Sequence, residues 1–265
     1  TMFQQVTDFR EESKALYELM QSLDSVDFSR QTQFKGWTFS DILGHLHMWN
    51  RAADLSLTNE AAFAEFIAQV FQYVSRGELR QFERQWLDGL AGKDLLERWH
   101  AFVLEMSERF DAADPISRVK WAGPDMSVRS SITARLMETW AHGLAIYDAL
   151  GVERQDDDRI RNIVILGINT YGWTFRNRNL EAPEPIPFVS LTAPSGAVWE
   201  WNDFSDDNRI SGSASEFCQV VTQTRNIADT DLRVEGEIAQ QWMSIAQCFA
   251  GPPEQPPAAG TRFVQ

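Results

Sequence analysis

Cysteine is nearly absent from this chain: Cys218 and Cys248 are the only two in 265 residues. Two are too few for a disulfide framework in a chain of this size. Phe217, Val220 and Val221 surround one, and Ile245 and Phe249 the other, so both are expected as small buried hydrophobes. No run approaches the ~18 apolar residues that a transmembrane helix needs. The polar stretch Thr1 to Glu11 lacks the basic-then-apolar order of a signal peptide, which makes the cytoplasm the expected compartment. Basic residues are scarce: 24 Lys and Arg stand against 38 Asp and Glu, for a net charge of −14. A surface that acidic repels phosphate backbones and anionic membranes, so neither nucleic acid nor membrane is expected as a partner. There is no G-x-S-x-G elbow, no phosphate-binding glycine loop and no C-x-x-C. Histidine is rare as well, with four residues: His45, His47, His100 and His142.

What remains has the composition of a globular protein, 43% hydrophobic and 23% charged. Apolar residues near a 3.6 period predict a helix over 3–24, through Phe3, Val6, Phe9, Leu16, Leu19 and Leu23. Thr38 opens a second helix to about Leu57, with Asp41 placed to complete a capping box. Helical patterns follow over 60–75, 78–110 and 130–150, the last closed by Gly151. Long helices with short connections predict an up-down bundle. The character then changes. A helix over 158–178 leads to Pro183, Pro185 and Pro187, and then to strand signals at 188–191, 198–201 and 232–234. Helices at 214–224 and 237–249 are interleaved with them. The fold class expected is therefore α+β, with a helical domain over 1–155, a small α/β domain over 156–250 and a Pro-rich, extended or disordered tail over 251–265.

Two histidines stand in informative settings. Glu138 and His142 are four residues apart on a helix and project from one face, a natural pair of ligands for one cation. Their neighbours are mostly apolar, and a buried Glu without a partner is costly. His45 lies on the second helix, whose Ile42, Leu46 and Trp49 pack inward. Asp41, one turn earlier, could accept the other ring N–H of His45 or serve only as the helix cap. Two histidines and a glutamate match catalytic zinc sites that keep a position open, although iron, nickel and manganese suit the same ligands. By spacing alone, a metal-free buried pair stays open beside the metal site. His47 points about 160° from His45 and is expected to be partly exposed. His100 shows no obvious partner. Trp49, Trp121 and Trp140 are core residues that could line a cavity.

The run Gly36-Trp37-Thr38-Phe39-Ser40-Asp41-Ile42-Leu43-Gly44-His45-Leu46 resembles the first signature of the DinB-like, mycothiol-dependent maleylpyruvate isomerase superfamily. The run from Arg135 through Glu138, Trp140 and His142 to Gly143 resembles its second metal motif. The resemblance implies an N-terminal four-helix bundle holding a divalent metal, usually zinc, on His45, Glu138 and His142. It also implies a smaller C-terminal α/β domain similar to sterol-carrier folds, matched here by residues 210–236. In the family an arginine from that domain reaches the active site, and by position Arg225 matches it, although Thr222-Gln223-Thr224 departs from the usual flanking sequence. Trp121, in the segment before the ligand helix, and Arg135, at the start of the second motif, are candidates for holding a cofactor.

Three functions are compatible with this reading. The first is a thiol-dependent isomerase or S-transferase acting on a small organic acid or its thiol adduct. There a low-molecular-weight thiol takes the open metal position and Arg225 holds a substrate carboxylate. The second is a hydrolase or lyase using metal-activated water, with Asp41 as the nearest candidate base. The third is a non-enzymatic metal- or small-molecule-binding protein. A small-molecule partner is expected in each, and a homodimer is the assembly expected.

Overall fold

In a computed structural model that describes residues 2–265, the chain divides into two compact units, with the boundary between Ala149 and Leu150. In the first unit, α1 (Gln4–Met20) leads through a short 3-10 turn (Ser25–Ser29) to α2 (Phe39–Thr58), α3 (Glu60–Val74), α4 (Leu79–Leu87) and α5 (Gly92–Ala112). A two-stranded ribbon, β1 (Arg118–Val119) and β2 (Met126–Ser127), then precedes α6 (Val128–Ala149). Helices α1, α2, α5 and α6 form the four-helix bundle: α1 and α2 each pack on both α5 and α6. Helices α3 and α4 pack on each other and on α2.

The N-terminus of α2 has the predicted capping box. Thr38 Oγ1 accepts the Asp41 amide at 3.1 Å, and Asp41 Oδ2 accepts the Thr38 amide at 2.9 Å. The helix predicted over 78–110 is two helices. Asp88 and Gly89 both take positive φ, 50° and 84°, which closes α4 and turns the chain before α5. Gly44 marks a close approach of α4 to α2: a Cβ there would lie 2.5 Å from Leu87 Cδ1. Phe9, Phe39, Trp99, Phe110 and Trp140 in the bundle core are shielded from solvent.

The second unit opens with a 3-10 turn (Asp158–Ile160), α7 (Arg161–Asn169) and α8 (Tyr171–Arg176). It continues with β3 (Phe188–Thr192), β4 (Val198–Trp201), β5 (Arg209–Ser213), α9 (Ala214–Val221), β6 (Arg233–Glu235) and α10 (Glu237–Ile245). The sheet order is β4-β3-β5-β6, with β3 and β5 parallel and the other pairs antiparallel. The strand over 209–213 is not among those the sequence predicts. Ser211, Gly212 and Ser213 have weak strand propensity, and Gly212 sits there because a Cβ would come within 2.9 Å of Leu232.

One other expectation is corrected, the partly exposed His47. The Pro-rich tail, expected as extended or disordered, has no regular secondary structure and is held to its unit by hydrogen bonds. Glu254 O accepts from Arg178 Nη2 at 2.6 Å and Gln223 Nε2 at 3.0 Å, Pro257 O from Asn226 at 2.9 Å, and the Gly260 amide donates to Asp229. His47 is buried, at 6% exposure, with its ring against Trp86 and Phe102. Both cysteines are buried and free.

Candidate metal centre

Three helices meet at the site. Helix α2 carries His45, α6 carries Glu138 and His142, and α4 brings Glu83. One donor atom each from His45, Glu138 and His142 lies within 4.8 Å of the others. His142 Nε2 is 2.9 Å from Glu138 Oε2, and the two imidazole centroids are 4.6 Å apart. The side chains of His45, His142 and Glu138 keep 12%, 13% and 22% of their surface, so they are only partly closed off from solvent.

Phe34 and Trp37 wall the site. The Trp37 ring lies 5.2 Å from His45 and stacks parallel to His142 at 5.8 Å, while Phe34 meets His142 edge-on at 5.1 Å. The turn that presents them needs positive φ at Lys35 (52°) and Gly36 (71°), which gives the glycine of the first motif a steric reason. Thr32 fixes the turn by donating its backbone N–H and its hydroxyl to Trp37 O, each at 2.8 Å.

The charge states suit a cation. Burial alone would raise the Glu138 carboxyl, but the hydrogen bond from His142 and the positive charges of His142, Arg135 and His45 outweigh it and hold the group at about 2. His142 is pushed below the ordinary histidine value by burial and by His45, which keeps a ring lone pair available. One anionic oxygen and two imidazole nitrogens, with no thiolate, form a donor set that fits zinc and its neighbours among divalent metals.

The other candidates fall in different places. Asp41 is one turn from His45, but its carboxylate is occupied by Thr38, by Arg80 at 2.7 Å and by Arg84 at 3.5 Å. Burial would raise it, and these partners outweigh that and lower it. The carboxylate against the His45 ring is Glu83, at 2.5 Å from Nδ1. Trp121 stacks on Phe63 and meets Trp49 edge-on, both at 5.8 Å. Arg135 is buried one turn before Glu138 and donates through Nε to Asn50 Oδ1 at 3.0 Å. Its Nη2 has no partner among the described residues, and burial lowers it to about 10 against the pull of Glu138. Arg225 follows α9 in the second unit, 9% exposed, with Nη1 donating to Thr224 O at 3.1 Å. His100, given no partner by the sequence, stacks on Tyr17 at 4.0 Å.

Glu83 is the residue that sequence reasoning missed. Its one available signal is a carboxylate among Phe82, Trp86 and Leu87 in an amphipathic stretch.

Comparison with known proteins gives the family and the fold. The family model for the mycothiol maleylpyruvate isomerase N-terminal domain matches residues 9–147. Two uncharacterized proteins of Mycobacterium tuberculosis, from strains CDC 1551 / Oshkosh and ATCC 25618 / H37Rv, are each 38% identical over 248 residues, 94% of this chain and 96% of theirs. Crystal structures of the mycothiol-dependent maleylpyruvate isomerase and of a point mutant of it share the fold. Each aligns over 82% of this chain and 86% of its own with a TM-score of 0.53, at 18% and 16% identity.

Proposed function

The chain belongs to the mycothiol maleylpyruvate isomerase family, and on that premise we propose a metal-dependent, thiol-using enzyme that acts on a small organic acid or its thiol adduct, as an isomerase or S-transferase. The observation that carries this reading is the convergence of His45, Glu138 and His142 in a partly solvent-exposed cluster within the bundle. These three residues would hold the metal, with zinc the best match to the donors. Bound there, the cation supplies Lewis acidity that favours the thiolate form of a thiol at neutral pH.

The chain's own residues supply the rest. The lowered values of Glu138 and His142 favour the carboxylate and neutral imidazole forms that a metal would bind. Trp37 and Phe34 shield one side of the site from water. Arg135 places a buried positive charge behind Glu138 and limits the negative charge the site accumulates. Arg225 keeps only the role that the family resemblance implies, that of a guanidinium that would bind a substrate carboxylate bidentately. The buried thiols of Cys218 and Cys248 leave no protein cysteine as nucleophile, so the thiol comes from solution.

Elemental analysis of the purified protein tests the site. About one equivalent of metal is expected in the wild type and close to none in His142→Ala. Equal metal in both refutes the ligand set. Titration of mycothiol into the zinc-loaded protein tests the thiol. Binding supports the reading, whereas no binding together with ester or amide turnover in the absence of thiol replaces it with a hydrolase.

A further inference from the structure

We propose that Glu83 is the positioning residue of the metal centre: through Nδ1 it fixes the tautomer and the orientation of His45, leaving Nε2 as the ligand atom. This rests on the metal reading above. Three observations on α4 and α2 carry it.

Glu83 is 3% exposed and has apolar neighbours, a place where a carboxylate is costly without partners. Both of its contacts converge on one oxygen. His45 Nδ1 lies 2.5 Å from Oε2, and the Trp49 indole N–H donates to the same atom at 3.2 Å. The indole N–H donates to Oε2 and a carboxylate only accepts, so in this arrangement the His45 nitrogen that faces it carries the ring proton. The lone pair of the ring is then on Nε2. A carboxylate behind a ligating imidazole also raises its basicity.

The placement of α4 makes this contact possible. Gly44, the residue before His45, lets Leu87 approach α2 to within reach of a missing Cβ, and Leu87 lies one turn beyond Glu83. The left-handed pair Asp88 and Gly89 ends α4 just after that contact. Trp49 lies one turn beyond His45, so the two donors that meet Glu83 share one face of α2.

The test uses the full chain with three variants and two readouts. Zinc affinity is measured by competition with a chromogenic chelator. Glu83→Met, apolar and of similar size, is expected to lose 10–100-fold. Glu83→Gln can present an amide oxygen to both donors and is expected to recover most of that loss. Trp49→Phe removes one of the two hydrogen bonds to Glu83 and is expected to fall between Glu83→Gln and Glu83→Met. The second readout is the ring tautomer of His45 in the metal-free wild type at pH 8, by long-range 1H–15N correlation. The proton is expected on Nδ1. A proton on Nε2 overturns the proposal, and this measurement does not depend on any variant folding. Zinc affinity of folded Glu83→Met within twofold of the wild type also overturns it. A wild type that takes up no zinc refutes the metal reading itself, an outcome distinct from both.

Discussion

Replacing His47 with Phe should remove a large part of the acid sensitivity of the metal-free protein. His47 is buried, and its Nδ1 has no partner among the described residues. Burial first, and then the charges of Arg98 and Arg51, lower its pKa from 6.5 to about 4. Protonation is therefore harder in the folded state than in the unfolded one. The sign follows: the stability this group confers is complete above about 6.5 and is lost as pH falls towards about 4. A tenfold difference in proton affinity between the two states is worth ~1.36 kcal/mol, so the whole effect is at most ~3.4 kcal/mol, and ~2.5 kcal/mol of it is lost by a pH of roughly 4.5.

Phe fills the same space against Trp86 and Phe102 without a titrating nitrogen. The assay is urea unfolding of wild type and His47→Phe in chelator, followed by far-ultraviolet circular dichroism at pH 7.5 and pH 4.5. Carboxylates and His142 titrate in both proteins and cancel in the comparison. The variant should lose ~2.5 kcal/mol less between the two conditions. Near pH 7.5 the substitution should be close to neutral, since it breaks no hydrogen bond at Nδ1. Equal losses in the two proteins would refute the burial argument.

Other consequences of the structure are simpler to read. Burial holds the Cys218 thiol far above its ordinary value, and Cys248 is 5% exposed, so a thiol reagent should modify neither in the native protein and both after denaturation. Stoichiometric reaction of the native protein would contradict that placement. Gly236 has φ 98°, and a Cβ there would lie 2.3 Å from the backbone oxygen of Asp207, so Gly236→Ala should destabilise the second unit. The cost should be roughly 1–3 kcal/mol, read as a lowered melting temperature, and an unchanged one would refute it. Asp54 is buried and accepts Arg109 from α5 through two bonds, at 2.7 and 3.1 Å. Asp54→Ala should lower the melting temperature of the bundle by an amount that corresponds to ~1–3 kcal/mol, with the half-exposed Arg109 limiting the cost.

The parts of this protein legible in the sequence are those set by short spacing. Glu138 and His142 share a face because they are four residues apart, and Thr38 caps α2 because Asp41 is three residues on. The helices of the bundle emerge in the same way, from a repeat that each of them carries alone. Glu83 is 38 residues from His45, and nothing local couples them. Their meeting depends on the left-handed pair at Asp88 and Gly89 inside what reads as one long helix, and on a close approach permitted by Gly44. The burial of His47 escapes the sequence for a related reason. The argument that it points away from His45, and so outward, assumes a helix with one buried face. Helix α2 is packed by α3, α4, α5 and α6 and has little outside left to offer. A helix enclosed in that way buries ligand, capping residue and bystander histidine alike. Which of them does chemistry is decided by what the neighbouring helices bring to each: aromatic rings to His47, two arginines to Asp41, and to His45 a carboxylate and two further donors.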